Sequence, residues 1–259
     1  MNNKSVVLEK TKQLLELKYS GATPKNYLHH IDLFLTFSKN VPDRLNNEDI
    51  LNYNIHIRNY SNSYRNVAIN AIKAYFKLYL RKDVKGFSSI RPPKQFKQPK
   101  VYDAEILSLK IKSIENLKHR SILMLGLSCW LRQSEVRNLK INDIDSNRMV
   151  INIYNAKGSK DREVKLSENL LILLREYREL FNPKTYLFNG QKTIQYKSIN
   201  VVCKNNLQIR FHSLRASGST YALQNGTDLK TVSEMLGHKS IETTKFYIPT
   251  LLKSVNQVF

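Results

Sequence analysis

Apolar residues recur at three- and four-residue spacing along most of the chain, and alternate in only one place. The first helical run carries Val6, Val7, Leu14, Leu15 and Leu17. The next holds Tyr27, Leu28, Ile31, Leu33, Phe34 and Phe37 and opens on Thr23-Pro24, an N-cap followed by a first-turn proline. Asn46 or Asn47 heads a third run with Ile50, Leu51 and Tyr53. Ser63 heads a fourth with Val67, Ile69, Ile72, Tyr75, Phe76 and Tyr79. These runs predict four short helices over residues 5–86. Residues 86–100, GFSSIRPPKQFKQPK, then break the period with three prolines, two serines and three lysines, the composition of an extended basic linker.

Helical spacing returns behind Asp103, an N-cap for a helix over 104–114. A strongly apolar helix over 118–130 (Ile122, Leu123, Met124, Leu125, Leu127, Trp130) and a short one over 133–139 follow. Met149, Val150, Ile151, Ile153 and Tyr154, then Glu163, Val164 and Leu166, read as a β-hairpin with a basic tip. Ser167 caps a helix reaching Leu180, and Tyr186-Leu187-Phe188 suits a short strand. Helices near 197–206, 212–224, 229–236 and 241–247 complete the chain; Asp228 and Ser240 cap the last two, and Gly237 occupies a C′ position. The expected architecture is mainly α with a small β-hairpin or sheet, divided into a helical domain over 1–86, a linker over 87–100 and an α+β domain over 101–259.

Charge adds a partner to this outline. The 259 residues carry a formal net charge of +21. Residues 1–100 hold 18 Lys/Arg against 7 Asp/Glu, and residues 101–259 hold 24 against 14. Two regions with similar excess suggest two basic surfaces facing one polyanion, most simply a nucleic acid. Lys94, Lys97 and Lys100 in the linker, with Lys160 and Arg162 by the hairpin, are the candidate DNA contacts. Cys129 and Cys203 lie in apolar segments without metal-ligand spacing and read as reduced, buried thiols. No stretch approaches a membrane span or a signal peptide, so a cytoplasmic protein with no membrane partner is expected.

The candidate chemistry gathers in the last fifth, in His212-Ser213-Leu214-Arg215, Leu236-Gly237-His238 and Tyr247. Upstream, Leu131-Arg132-Gln133-Ser134-Glu135 places an arginine and a glutamate three apart at a helix start, and Lys157 sits in the hairpin turn. Each residue alone has a plain reading: a solvated turn lysine, an i,i+3 surface pair, structural histidines, one tyrosine among fourteen. In order, however, LRQSEV, AKGSKDREVKL, HSLR and LGHKSIETTKFY resemble the motifs of the tyrosine recombinase (phage integrase) family over nearly the whole chain. The nine-residue step from His238 to Tyr247 resembles the Xer-type members.

The resemblance implies a helical, SAM-like core-binding domain followed by a catalytic domain, double-stranded DNA sites as substrate and neither metal nor other cofactor. It implies catalytic roles for Arg132, Lys157, His212, Arg215, His238 and Tyr247. A tyrosine hydroxyl, with an ordinary pKa of about 10, needs a base or nearby cations to attack phosphorus. Two arginines answer the charge on the non-bridging oxygens, and a lysine can protonate the departing 5′ oxygen. Tyr247 is then the nucleophile, Lys157 the general acid, His212 the base or hydrogen-bond partner of the tyrosine, and His238 a second donor to the phosphate. Glu135 is expected to orient the Arg132 helix. The apolar tail with Leu251, Leu252, Val255, Val258 and Phe259 implies docking on a neighbour in a DNA-bound homotetramer. No arm-binding segment is expected ahead of the first helices.

Three positions depart from the family pattern. Trp130 stands where glycine is usual, Ala216 where histidine is usual, and Gly218 where phenylalanine is common. A large-for-small exchange is expected, with the Trp130 indole filling the space left by Gly218. Two other functions fit the same chemistry or fold: a type IB topoisomerase-like relaxase, and a sequence-specific DNA-binding protein without catalysis. A metal-dependent nuclease would need clustered carboxylates that the sequence lacks.

Overall fold

The computed structural model describes residues 4–38, 40, 42–83, 91–93, 99–154, 161–188, 196–238 and 240–245. The chain divides into two units, Met1–Lys97 and Gln98–Phe259.

The first unit is all-helical: α1 (Lys4–Lys18), α2 (Thr23–Ser38), a 3-10 turn (Pro42–Arg44), α3 (Asn47–His56) and α4 (Asn62–Leu78). Its core joins Val7 and Leu15 of α1, Ile31 and Phe34 of α2, Ile50 and Tyr53 of α3, and Ile69, Ile72, Tyr75 and Phe76 of α4. Thr23 lies inside α2 as its first residue. Asn46 caps α3 in a capping box: its Oδ1 accepts the Glu48 and Asp49 N–H groups, and Asp49 accepts the Asn46 N–H at 2.9 Å. Ser61, not Ser63, caps α4, because the helix begins two residues earlier than a Ser63 cap implies and Ser61 Oγ accepts the Tyr64 N–H.

Part of the expected linker belongs to this unit. Asn62, Asn66 and Asn70 stand four residues apart on one face of α4. Asn62 and Asn66 donate to the Pro93 and Pro92 carbonyls at 3.2 and 3.4 Å, and Arg91 donates to Asn66 and Asn70 at 3.3 and 2.8 Å. Residues 91–93 are therefore held by an asparagine ladder. Prolines donate nothing, so only their carbonyls remain for the side-chain amides to read.

The second unit holds α5 (Ala104–Lys112), α6 (Leu117–Ser128), α7 (Gln133–Asn138), β1 (Ile144–Asp145), β2 (Val150–Ile153), β3 (Arg162–Lys165), α8 (Glu168–Phe181), α9 (Tyr196–Leu207), α10 (Phe211–Gln224), α11 (Leu229–Leu236) and α12 (Glu242–Lys245). Helix α6 is apolar around most of its circumference, as a helix enclosed by others must be. It buries Ile122, Leu123, Leu125 and Leu127, with α5, α8, α9 and α10 packed around it. Gly126 lets the Phe211 ring approach to 2.7 Å of the position a Cβ would take.

The expected hairpin is two strands of a three-stranded antiparallel sheet of order β1-β2-β3, with Ile151 opposite Val164. Strand β1 escaped the pattern because two residues carry no period. Tyr186-Leu187-Phe188 forms no strand: Tyr186 makes a lone bridge to Lys140, while Leu187 and Phe188 are buried. The fold is mainly α with a small sheet, and Cys129 and Cys203 are buried and unpaired.

Candidate active site

The site is built where α7, β3 and α10 meet the end of α11. Arg132 is the N-cap residue of α7, and Glu135 stands at N3. Glu135 turns back to accept the Arg132 backbone N–H at 2.7 Å and its Nη1 at 2.8 Å. The same carboxylate accepts Nη1 and Nη2 of Arg162, from β3, at 2.9 and 2.8 Å. Side-chain exposure is 5% for Glu135, 8% for Arg162 and 32% for Arg132. One buried carboxylate thus carries two guanidinia, one sealed in and one reaching solvent. Burial pushes the Glu135 pKa up, but the hydrogen bonds and charge of Arg162, with the bonds from Arg132, outweigh it and hold the pKa at about 2.

Helix α11 supplies the other half through its backbone. Its last carbonyls lack intrahelical donors and carry the negative end of the helix dipole. Gly237 ends the helix at φ +61°, in the left-handed region that glycine adopts without strain. Three arginines then take three successive carbonyls. Arg162 Nε donates to Met235 at 2.8 Å, Arg215 Nη2 to Leu236, and Arg132 Nη2 to Gly237 at 2.9 Å. Arg215 rises from the first turns of α10, is 1% exposed, and also donates through Nη1 to the Trp130 carbonyl.

The two histidines flank these cations. His212, one turn before Arg215, keeps a solvent-accessible edge. The protein packed around it nonetheless lowers its pKa through burial, then through the charges of Arg215 and Arg132. His238 follows Gly237 and is half-buried, and its Nδ1 lies 2.9 Å from Thr244 Oγ1 on α12. Burial, then Arg215, Arg132, His212 and Arg162, push its pKa down to about 4. Both rings are held toward the neutral form beside fixed positive charge.

Trp130 sits at φ +50° immediately before this arginine box. A Cβ on Gly218 would lie 2.7 Å from the indole Nε1 and 2.0 Å from the Leu127 carbonyl oxygen. The expected large-for-small exchange is present: the indole covers the glycine. The backbone of α6 comes closer still, which the sequence did not show.

Of the six residues expected to act, Arg132, His212, Arg215 and His238 come together around the end of α11. Lys157 and Tyr247 lie outside the described residues, as do Lys94, Lys97 and Lys160. Lys100 is exposed. Arg162 is corrected. Read from the sequence as a DNA contact, it turns its whole guanidinium inward onto Glu135 and Met235. The signal was present in the strand alternation, because Arg162 shares the face of buried Val164 while Glu163 and Lys165 point outward. Among the described residues no cluster of His, Cys, Asp and Glu could hold a metal ion, and no helix is long and apolar enough to cross a membrane.

A family model described as "Phage integrase family" matches residues 102–251, and one described as "Phage integrase, N-terminal SAM-like domain" matches residues 8–86. The tyrosine recombinase XerA of Pyrococcus horikoshii is 28% identical over 268 residues, covering 98% of this chain and 92% of its own. The crystal structure of XerA recombinase superposes with a TM-score of 0.54 at 26% identity, covering 98% of both chains. The XerH site-specific recombinase bound to a palindromic difH substrate, in a post-cleavage complex, shares the fold at a TM-score of 0.70 and 21% identity, covering 91% of this chain and 78% of that one.

Proposed function

The chain belongs to the phage integrase family, and we propose that it is a site-specific recombinase that cuts and rejoins DNA through a tyrosine. The observation that carries this reading is the convergence of Arg132, Arg215, His212 and His238 at the end of α11. Of these four, His238 touches Thr244 on α12, three residues before Tyr247 in the chain.

In the proposed reaction the Tyr247 hydroxyl attacks a phosphodiester in line with the 5′ oxygen. The P–O5′ bond breaks as the tyrosyl P–O bond forms, leaving a 3′-phosphotyrosyl link and a free 5′-hydroxyl. Arg132 and Arg215 hold the non-bridging oxygens, where fixed, preorganised cations act most strongly on the transition state. His212 receives the phenolic proton or its hydrogen bond, and His238 donates to the phosphate. Lys157 gives a proton to the departing oxygen. The phosphotyrosyl bond conserves the energy of the phosphodiester, so a second 5′-hydroxyl reverses the step without ATP. The chemistry asks for no metal.

The substrate is double-stranded DNA bound by both units, with residues 1–86 as core-binding domain, 87–100 as linker and 101–259 as catalytic domain. Lys94, Lys97, Lys100 and Lys160 contact phosphates. Four copies assemble on paired sites, with the tail from Leu251 to Phe259 docked on a neighbour. Buried, unpaired Cys129 and Cys203 suit a reducing cytoplasm.

The test is a nicked suicide duplex carrying the candidate site, incubated in EDTA. Wild-type protein forms a covalent adduct and Tyr247→Phe does not. No adduct, or one that persists in the phenylalanine variant, overturns the reading. Two-site substrates run beside supercoiled plasmid separate recombination from relaxation.

A further inference from the structure

Thr244 takes no part in the chemistry above, yet it touches one of its groups. It is 0% exposed, on α12, with Oγ1 2.9 Å from His238 Nδ1. Three buried hydroxyls elsewhere behave differently. Thr11, Ser121 and Ser219 each give their proton to the carbonyl four residues back in their own helix, at 2.7, 2.8 and 2.8 Å. Among the described residues Thr244 makes no such bond. A hydroxyl shut away from water needs an acceptor for its proton, and the acceptor beside this one is the imidazole.

We infer that Thr244 is a positioning residue for His238: its O–H donates to Nδ1, so the ring carries its single proton on Nε2 and presents that nitrogen as a donor to the scissile phosphate. The inference rests on the recombinase reading for the identity of the phosphate. The hydrogen bond itself stands on the geometry.

A neutral imidazole has one donor and one acceptor, and the group bound at one nitrogen decides which the other becomes. Burial and the neighbouring arginines keep this ring neutral. Were Nδ1 protonated instead, the Thr244 proton would lack a partner there. Nε2 would then turn a lone pair toward phosphate oxygens that hold only lone pairs. Thr244 also stands three residues before Tyr247 in the chain. The same contact therefore joins the phosphate donor to the segment that bears the nucleophile.

Two readouts test this on the full chain. The first is the tautomer of His238, read by long-range proton–nitrogen correlation on histidine-labelled protein at neutral pH and assigned with His238→Gln. Wild type and Thr244→Ser show the Nε2–H pattern, and Thr244→Val shows a mixture or the Nδ1–H form. The second is the rate of adduct formation on the nicked duplex. Thr244→Val lowers it about tenfold, the scale of one lost hydrogen bond, with DNA affinity unchanged, while Thr244→Ser stays near wild type. Valine matches threonine in shape, and thermal melts of both variants report folding. An Nδ1–H ring in wild type, or a valine variant with unaltered tautomer or unaltered rate, overturns the inference. A wild-type protein that forms no adduct overturns the recombinase reading instead, and leaves the tautomer measurement to judge the hydrogen bond alone.

Discussion

Arg162 grips both oxygens of Glu135 with a parallel fork while its Nε holds the carbonyl of Met235, so a strand, a helix start and a helix end meet on one guanidinium. Lysine keeps the charge and three N–H donors, but all on one nitrogen, without the planar fork that reaches two carboxylate oxygens and a carbonyl at once. Glu135 keeps Arg132 as a partner, so losing Arg162 falls short of the cost of a stranded buried charge and comes to about 2 kcal/mol, the scale of hydrogen bonds to a charged group. Arg162→Ala is expected to lower stability by that amount in urea unfolding, and Arg162→Lys to recover only part of it. Adduct formation should fall in both, because Glu135 also holds Arg132. An Arg162→Ala protein as stable as wild type would show that the fork contributes nothing.

Gly218 faces two neighbours, the indole of Trp130 and the carbonyl of Leu127. A methyl group there is expected to destabilise by about 2 kcal/mol or more, the usual scale for overpacking against immobile atoms. The double variant Trp130→Gly/Gly218→Ala should fail to recover the loss, since the Leu127 backbone stays in place. Full rescue in thermal melts would mean that the indole alone excludes the methyl.

The low pKa of His238 has a sign that can be measured. It lies near 4 in the folded chain against an ordinary value of 6.5. The unfolded chain therefore binds the proton first as pH falls. The stability tied to the neutral ring is complete above pH 6.5 and is lost from there down to about pH 4. His238→Gln has no such transition. The stability of wild type relative to this variant should thus shrink as the pH is lowered through that window. Glu135 acts lower: its contribution is present above 4.5 and is lost as pH falls toward about 2.

The asparagine ladder on α4 fixes where the linker leaves the first unit. Asn66→Ala/Asn70→Ala should release residues 91–93 at a cost of about 1 kcal/mol per hydrogen bond. Limited trypsin digestion should then cut after Lys94, since the Arg91–Pro92 bond resists trypsin, faster than in wild type, with the first unit still folded by circular dichroism. Equal cutting rates would show that the ladder does not hold the strap in solution.

Much of the architecture was legible because burial writes a period. The apolar stripe of α4, the apolar run of α6 and the β2–β3 alternation could be read directly, and the caps Asp103, Ser167 and Asp228 act as expected. Strand β1 was too short for a period, and Tyr186-Leu187-Phe188 looked like a strand because burial alone selects such residues. In the site, side chains with known chemistry could be found by motif. Arg162 misled because a basic residue beside a basic hairpin tip suggests solvent, while its strand face said otherwise. The carbonyls of Met235, Leu236 and Gly237 have no signature, since every residue carries one.

That last point bears on how the protein can vary. Three arginines read α11 by main-chain position and not by the side chains at 235–237. Substitutions at Met235 and Leu236 that keep the helix leave the grip intact. A single inserted or deleted residue between Asp228 and Gly237 would offset all three carbonyls at once. Helix α11 acts as a ruler, and its length is under tighter constraint than its spelling.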